Sequence, residues 1–303
     1  MDSHHTKLSL MRGLEERTAW LFILPVLLGI IIFQLYPVVF SLYVSFTHWD
    51  LVTPPIWAGV ENYVGLFTTD RAFYQVLTNT ALYAVGTILP GMAIALIFAT
   101  LLNQGIIGQA AFRAIYFVPV VVPTAAVAIL WRWIYEPNYG ILNDVLKVIG
   151  VPGPMWLTNT HYALLAVIIE AVWAGLGLNI VIYLAGLQTI SREYYEAAQI
   201  DGANGFQQFF HITLPLISPT SFFLLVTGTI SAIQVFDVPY VMTAGGPANA
   251  TQMIVMYLYK TAFGLQRMGV AAAMGYVVFM LILLLTFVNF MFEKRWVFYE
   301  EAA

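Results

Sequence analysis

Cysteine is absent from all 303 residues, and that removes whole classes of chemistry at once. No disulfide, zinc–thiolate site or iron–sulfur cluster is possible. Charge is scarce too. Asp, Glu, Lys and Arg make up 9% of the chain, where soluble domains carry about a quarter. The formal net charge of −4 offers no basic surface for nucleic acid. No Gly-Lys dipeptide occurs, so there is no G-x-x-x-x-G-K-S/T phosphate loop and no ATP hydrolysis by that chemistry. H-E-x-x-H and G-x-S-x-G are missing, and the five histidines are scattered. His4 and His5 read as a solvated pair in a polar tail. No catalytic residue, metal site or resident cofactor is expected. No short apolar run ends in a small-residue cleavage site, so no cleavable signal peptide is expected.

What the chain does have is apolar surface. Hydrophobic residues make up 60% of it, with a mean hydropathy of +0.81. That composition implies an all-α fold, a polytopic membrane helix bundle whose backbone polar groups are satisfied within helices. Six runs reach span length: 19–46, 75–102, 112–133, 163–187, 214–236 and 268–292. Together they form one membrane domain, 19–292, between polar tails 1–18 and 293–303. Pro37 is expected to kink the first span, Pro90 interrupts the second, and Pro119 and Pro123 lie inside the third. Between the third and fourth, Leu142, Val145, Leu146 and Ile149 share a helical face, as in a short helix on a membrane surface. A further short helix is expected over 253–263, after the turn signal Thr243-Ala-Gly-Gly-Pro247.

Six spans put both termini on one side. That side carries Lys7, Arg12, Arg17, Arg113, Arg192, Lys294 and Arg295. The other carries Arg71, Arg132, Lys147, Lys260 and Arg267. The excess favours cytoplasmic termini.

One stretch is out of keeping with its surroundings. Residues 191–212 lie between the fourth and fifth spans and hold Glu193, Glu196, Asp201 and Arg192. Ser191 is suited to cap a helix over 192–200, and Gly202 to end it in the left-handed conformation. Asn204 is suited to cap a second turn, which Pro215 would stop. Ala197 and Ala198 are small enough for another surface to approach closely, with Glu196 as a fixed charge beside them. The alternative is a polar turn that serves only solubility.

The order Glu196-Ala197-Ala198, three residues, Gly202, nine residues, Ile212-Thr-Leu-Pro215 resembles the EAA loop of ATP-binding-cassette (ABC) importer permeases. The runs Gly59–Tyr63, Ala111–Pro119 and Thr243–Pro247 resemble the sugar permeases of that superfamily. The resemblance implies a cytoplasmic coupling helix that seats in an ATPase subunit. Glu196, Ala197, Ala198, Asp201, Gly202 and Ala203 would make that contact. It further implies two ATPase subunits carrying ATP and Mg, and a second, related permease chain in a heterodimer. A periplasmic or lipid-anchored binding protein and a bacterial inner-membrane location complete the picture. Transport would run by alternating access.

Ionisable and amide groups inside spans cost several kcal/mol, so they are candidates for the substrate path. Glu170 and Trp173 share one face of the fourth span, and Asn179 and Tyr183 lie roughly opposite. Gln234 and Asp237 stand three apart near the outer end of the fifth. Amides, carboxylates and aromatic rings suit a sugar or polyol. The alternative for each is a hydrogen bond to a neighbouring helix, above all for Gln34 and Asn289. Glycerol 3-phosphate or an oligosaccharide would use the same machine, though no arginine sits at a span centre. An ATP-independent secondary transporter would need midplane ion ligands in matched halves, and none is evident.

Overall fold

A computed structural model describes residues 20–104 and 109–298. The expected tail 1–18 lies outside them, as does the end of the 293–303 tail. In chain order the described helices begin with α1 (Trp20–Ser45), α2 (Glu61–Thr68), α3 (Arg71–Asn103), α4 (Gln109–Val121), α5 (Thr124–Ile134), α6 (Ile141–Val148) and α7 (Ala163–Leu187). Then come α8 (Arg192–Ile200), α9 (Gly205–Leu216), α10 (Ser218–Ile233), α11 (Asp237–Thr243), α12 (Ile254–Tyr259) and α13 (Met268–Trp296). The sheet pairs β1 (Thr47–His48) antiparallel with β2 (Ile56–Trp57).

The chain divides into two units, one of residues 1–66 with 261–276 and one of residues 67–260 with 277–303. In the first, α1 passes Pro37 without breaking. It widens instead into a π turn at Ile31–Leu35. Proline lacks an N–H and crowds the carbonyl four residues back, and the wider turn absorbs both defects. Past α1, Asn62 Nδ2 donates to the carbonyls of Ser45 and Thr47, both at 2.9 Å, which ties α2 to the hairpin. The hairpin turn closes on Asp50, which accepts the N–H groups of Thr53 at 2.8 Å and Val52 at 3.0 Å. Those donors, Thr53 first, hold the Asp50 carboxyl below its ordinary range.

The second unit is built on α3 and α7, which pack along their length. One apolar cluster gathers Tyr83 of α3, Ala128 of α5 and Ala166 and Val167 of α7. The other gathers Ala95 and Ala99 of α3, Ile180 and Leu184 of α7, and Ile217 and Leu224 beside and within α10. Helix α4 closes on α7 at Gly177. A Cβ there would stand 2.2 Å from the Tyr116 carbonyl oxygen. Only glycine allows that approach.

Two expected spans are not straight. The third, 112–133, breaks at Val122–Pro123, where it bends by 112°. Pro123 takes an extended ψ of 131° as the cap of α5, and a residue before proline avoids the helical region. The fifth, expected at 214–236, starts as α9 at Gly205, bends by 61° at Ile217 and ends at Ile233. Pro215 therefore does not stop α9. A π turn at Phe209–Thr213 carries the helix past it, and the break comes just ahead of Pro219. Among the described residues, four helices are long and apolar enough to cross a membrane, or up to six if each bent pair is one span.

The short helices fall close to expectation. Helix α12 with its π turn covers Ile254–Gly264. Helix α6 leaves Ile141, Val145, Val148 and Ile149 exposed, and buries Asn143. Asn143 accepts from Trp156 Nε1 at 2.8 Å, so the buried amide is satisfied.

The packing at Gly177 makes a differential prediction. Gly177→Val forces a branched side chain against Tyr116 backbone and Val120, at a cost of about 1–3 kcal/mol or more. Gly175→Ala, with no atom within 4 Å of its Cβ position, should be neutral or mildly stabilising. Melting curves in detergent should separate the two. Equal melting temperatures would show that the α4–α7 contact is not limiting.

Candidate functional site

The polar stretch forms a closed elbow. Ser191 caps α8 by accepting the Glu193 N–H at 3.3 Å. At the other end the Gly202 N–H reaches the Gln199 carbonyl at 3.0 Å, and the Ala203 N–H reaches Ala198 at 2.9 Å. This is the paired exit of a Schellman motif, and it needs the left-handed φ of +81° that Gly202 adopts. One residue later Asn204 opens α9 with a capping box. Its Oδ1 accepts the Gln207 N–H at 2.9 Å, and Gln207 Oε1 accepts the Asn204 N–H at 2.8 Å. Every backbone group at the corner named here finds its partner within the segment.

This geometry sets what α8 presents. All its residues are exposed except Tyr195 and Ala198, which are half-buried and share one face at i,i+3. Glu196 and Ala197 are exposed, as are Asp201 and Gly202, while Ala203 is half-buried. Ile200 and Phe206 are 88% and 75% exposed on either side of the corner. On the inward face the Tyr195 hydroxyl meets Thr213 Oγ1 at 3.0 Å, and Gln208 Nε2 donates to the Ala203 carbonyl at 3.1 Å. A cleft of about 600 Å³ opens behind α8, lined among others by Asn103, Gln188, Arg192, Tyr195, Gln199 and Gln208.

The span candidates separate into three groups. Glu170 is fully buried, and neither carboxylate oxygen has a hydrogen-bond partner. One turn to either side, α5 contacts α7. Tyr135 donates its hydroxyl to the Ala166 carbonyl at 3.0 Å, and the Trp131 and Trp173 rings pack edge-on at 5.5 Å. Trp131 Nε1 is buried without a partner too. An unmet carboxylate in a packed helix interface costs several kcal/mol, which sets Glu170 apart from the packing residues around it. Trp131 and Tyr135 were not among the sequence candidates, though their i,i+4 spacing on one helix was there to be read. In the second group, Tyr183 is buried and donates to Ser221 Oγ at 3.2 Å, tying α7 to α10. Asn179, half-buried, turns its amide toward the space beside Gly91. In the third, Gln234 and Asp237 are both exposed but share no helical face, since α10 ends at Ile233 and Asp237 opens α11.

Comparison with known proteins follows this geometry. Residues 91–297 match the family described as binding-protein-dependent transport system inner membrane component. The sequence is 38% identical over 291 residues to the probable ABC transporter permease protein YesP of Bacillus subtilis, spanning 95% of this chain and 94% of that one. It is 34% identical over 292 residues to the lactose transport system permease protein LacF of Rhizobium radiobacter, spanning 94% and 97%. A chain of the bacterial alginate ABC transporter, solved in complex with an alginate pentasaccharide-bound periplasmic protein, superposes with a TM-score of 0.81. It covers 93% of this chain and 95% of that one at 24% identity, which speaks to the fold. The matched residues cover more than half of the sequence, and this chain belongs to the binding-protein-dependent transport system inner membrane components, the family of ABC transporter permease proteins such as these relatives.

Proposed function

We propose that this chain is the permease subunit of an ATP-driven importer for a sugar or related polyol, working by alternating access in a bacterial inner membrane. The observation that carries the reading is α8, a short helix exposed on all but one face and held at a fully hydrogen-bonded corner. Such a helix has no lipid-facing surface to hide and no core of its own. It is shaped to be gripped. Glu196, Ala197, Ala198, Asp201, Gly202 and Ala203 form the contact with an ATPase subunit, one of two that supply ATP and Mg. Each bent helix pair counts as one span, giving six, with both termini and α8 in the cytoplasm. A second, related permease chain and an extracytoplasmic binding protein complete the transporter.

The carbohydrate assignment is supported by the cargo in the relatives' names, lactose and alginate. Alginate also favours the second reading, an oligosaccharide carried by the same machine. Of the path candidates, Glu170 with Trp173 is preferred. A carboxylate beside aromatic rings fits the hydroxyls and apolar face of a sugar, and its two oxygens have nothing else to bond. Tyr183 and Asn179 are second in rank because each has a packing role on α7.

Glu196→Lys and Gly202→Pro should leave the chain inserted and assembled yet cut binding-protein-dependent uptake at least tenfold. Uptake into proteoliposomes, measured alongside substrate-stimulated ATP hydrolysis, tests this; wild-type values for both variants would reject the docking role. Glu170→Gln should lower uptake by raising the half-saturating substrate concentration or slowing turnover. Unchanged transport kinetics would make Glu170 a packing residue.

A further inference from the structure

We propose that the Tyr195–Thr213 contact is the strut through which displacement of α8 reaches the bend of the fifth span. Tyr195 is thereby a positioning residue for coupling. The proposal rests on the reading of α8 as the ATPase-docking helix and adds the path by which its motion enters the membrane domain.

The argument is geometric. Helices α8 and α9 meet at a corner only a few residues long, 201–204, whose named bonds are local. A corner alone fixes two arms poorly, because small torsions there swing the far end of α8. A third side is needed to hold the angle. Tyr195 lies in the first half of α8 and Thr213 near the end of α9, 18 residues apart, and their hydroxyls meet at 3.0 Å. That bond closes a triangle with the two helices. Gln208 to Ala203 braces only the corner itself.

Thr213 is well placed to receive the load. It is 4% exposed, so it is held by its surroundings. Its carbonyl accepts the Ile217 N–H at 2.9 Å, and Ile217 is the fully buried residue at which the helix turns by 61°. A push on α8 thus passes from Tyr195 to Thr213 and one turn later to the bend. Along α8 the half-buried side chains are Tyr195 and Ala198, and its other residues are exposed. Ala198 has only a methyl group to offer. Packed, hydrogen-bonded elements with discrete arrangements are what carry coupling between sites.

The test uses the complete transporter with its partner chains, reconstituted in proteoliposomes. Tyr195→Phe and Thr213→Val each remove one hydroxyl and keep the side-chain volume. Each should raise ATP consumed per sugar imported by about fivefold, the lower end of ordinary coupling effects. The double variant should be no worse than either single one, and Thr213→Ser should restore the wild-type ratio. A merely structural contact would change yield or melting temperature but not that ratio. Wild-type stoichiometry in Tyr195→Phe, additive losses in the double variant, or failure of the single variants to assemble would each overturn the proposal. If Glu196→Lys uncouples while Tyr195→Phe does not, the docking reading stands and the strut falls. If neither uncouples, the docking reading itself has failed.

Discussion

Where two helices meet at a tight corner, the carbonyls left at the end of one and the N–H groups at the start of the next must find partners within a few residues for the corner to hold its angle. At 201–204 the solution is two motifs set end to end. The Schellman exit of α8 uses the carbonyls that the helix leaves over, and the capping box of α9 uses the N–H groups that its first turn exposes. Paired internally, the corner needs nothing from a partner. Its outer surface is therefore free to present side chains alone. That is what would let a piece of an apolar protein act as the discrete docking element proposed above.

The prolines show the same economy within the spans. Pro37 and Pro215 each follow a π turn and leave their helices continuous. Pro123 and Pro219 instead stand at breaks of 112° and 61°. The difference lies in what the neighbouring residues do. Where one wider turn absorbs the missing donor, the helix survives. Where the chain leaves the helical region beside the proline, as at Pro123 with its ψ of 131°, the direction changes. Bends at these two places divide the α4–α5 and α9–α10 pairs into parts that need not move together.

The sequence was most legible where the interactions are local. Ser191, Gly202 and Asn204 act within three or four residues of themselves, and each does what its chemistry implies. Glu170 was legible as a charge in an apolar run, because its cost is independent of its neighbours. Its surroundings were not, since Trp131 and Tyr135 come from a different helix brought over by the break at Pro123. The Tyr195–Thr213 contact was hidden for the same reason. Nothing local links two hydroxyls 18 residues apart until a corner folds them together. Helix α6 falls where its spacing implies; of its apolar face Val145 and Ile149 are exposed and Leu142 and Leu146 half-buried, while the anchor is Asn143, whose partners in the flanking loop were not legible in the spacing.

In the proposed docking, the exposed side chains around the corner divide the work between affinity and orientation. Ile200 and Phe206 are large, apolar and almost wholly exposed in a segment otherwise rich in charge. Burying each against a partner would contribute about 1.5–3 kcal/mol. Ala197 adds little area, yet as a small exposed residue it sets how closely the partner approaches. Glu196, fully outside, adds little to affinity, since an exposed ion pair is worth at most about 1 kcal/mol. Its effect is on which arrangement is accepted, because a misplaced charge at a contact is penalised more than a well-placed one is rewarded. On that reading, a helix gripped at Ile200 and oriented at Glu196 has its half-buried Tyr195 aimed back toward the bend. Glu196 and Ile200 stand four residues apart and share one face of this nine-residue helix, while Tyr195 lies on another, so a change at the inward contact need not disturb the outer one.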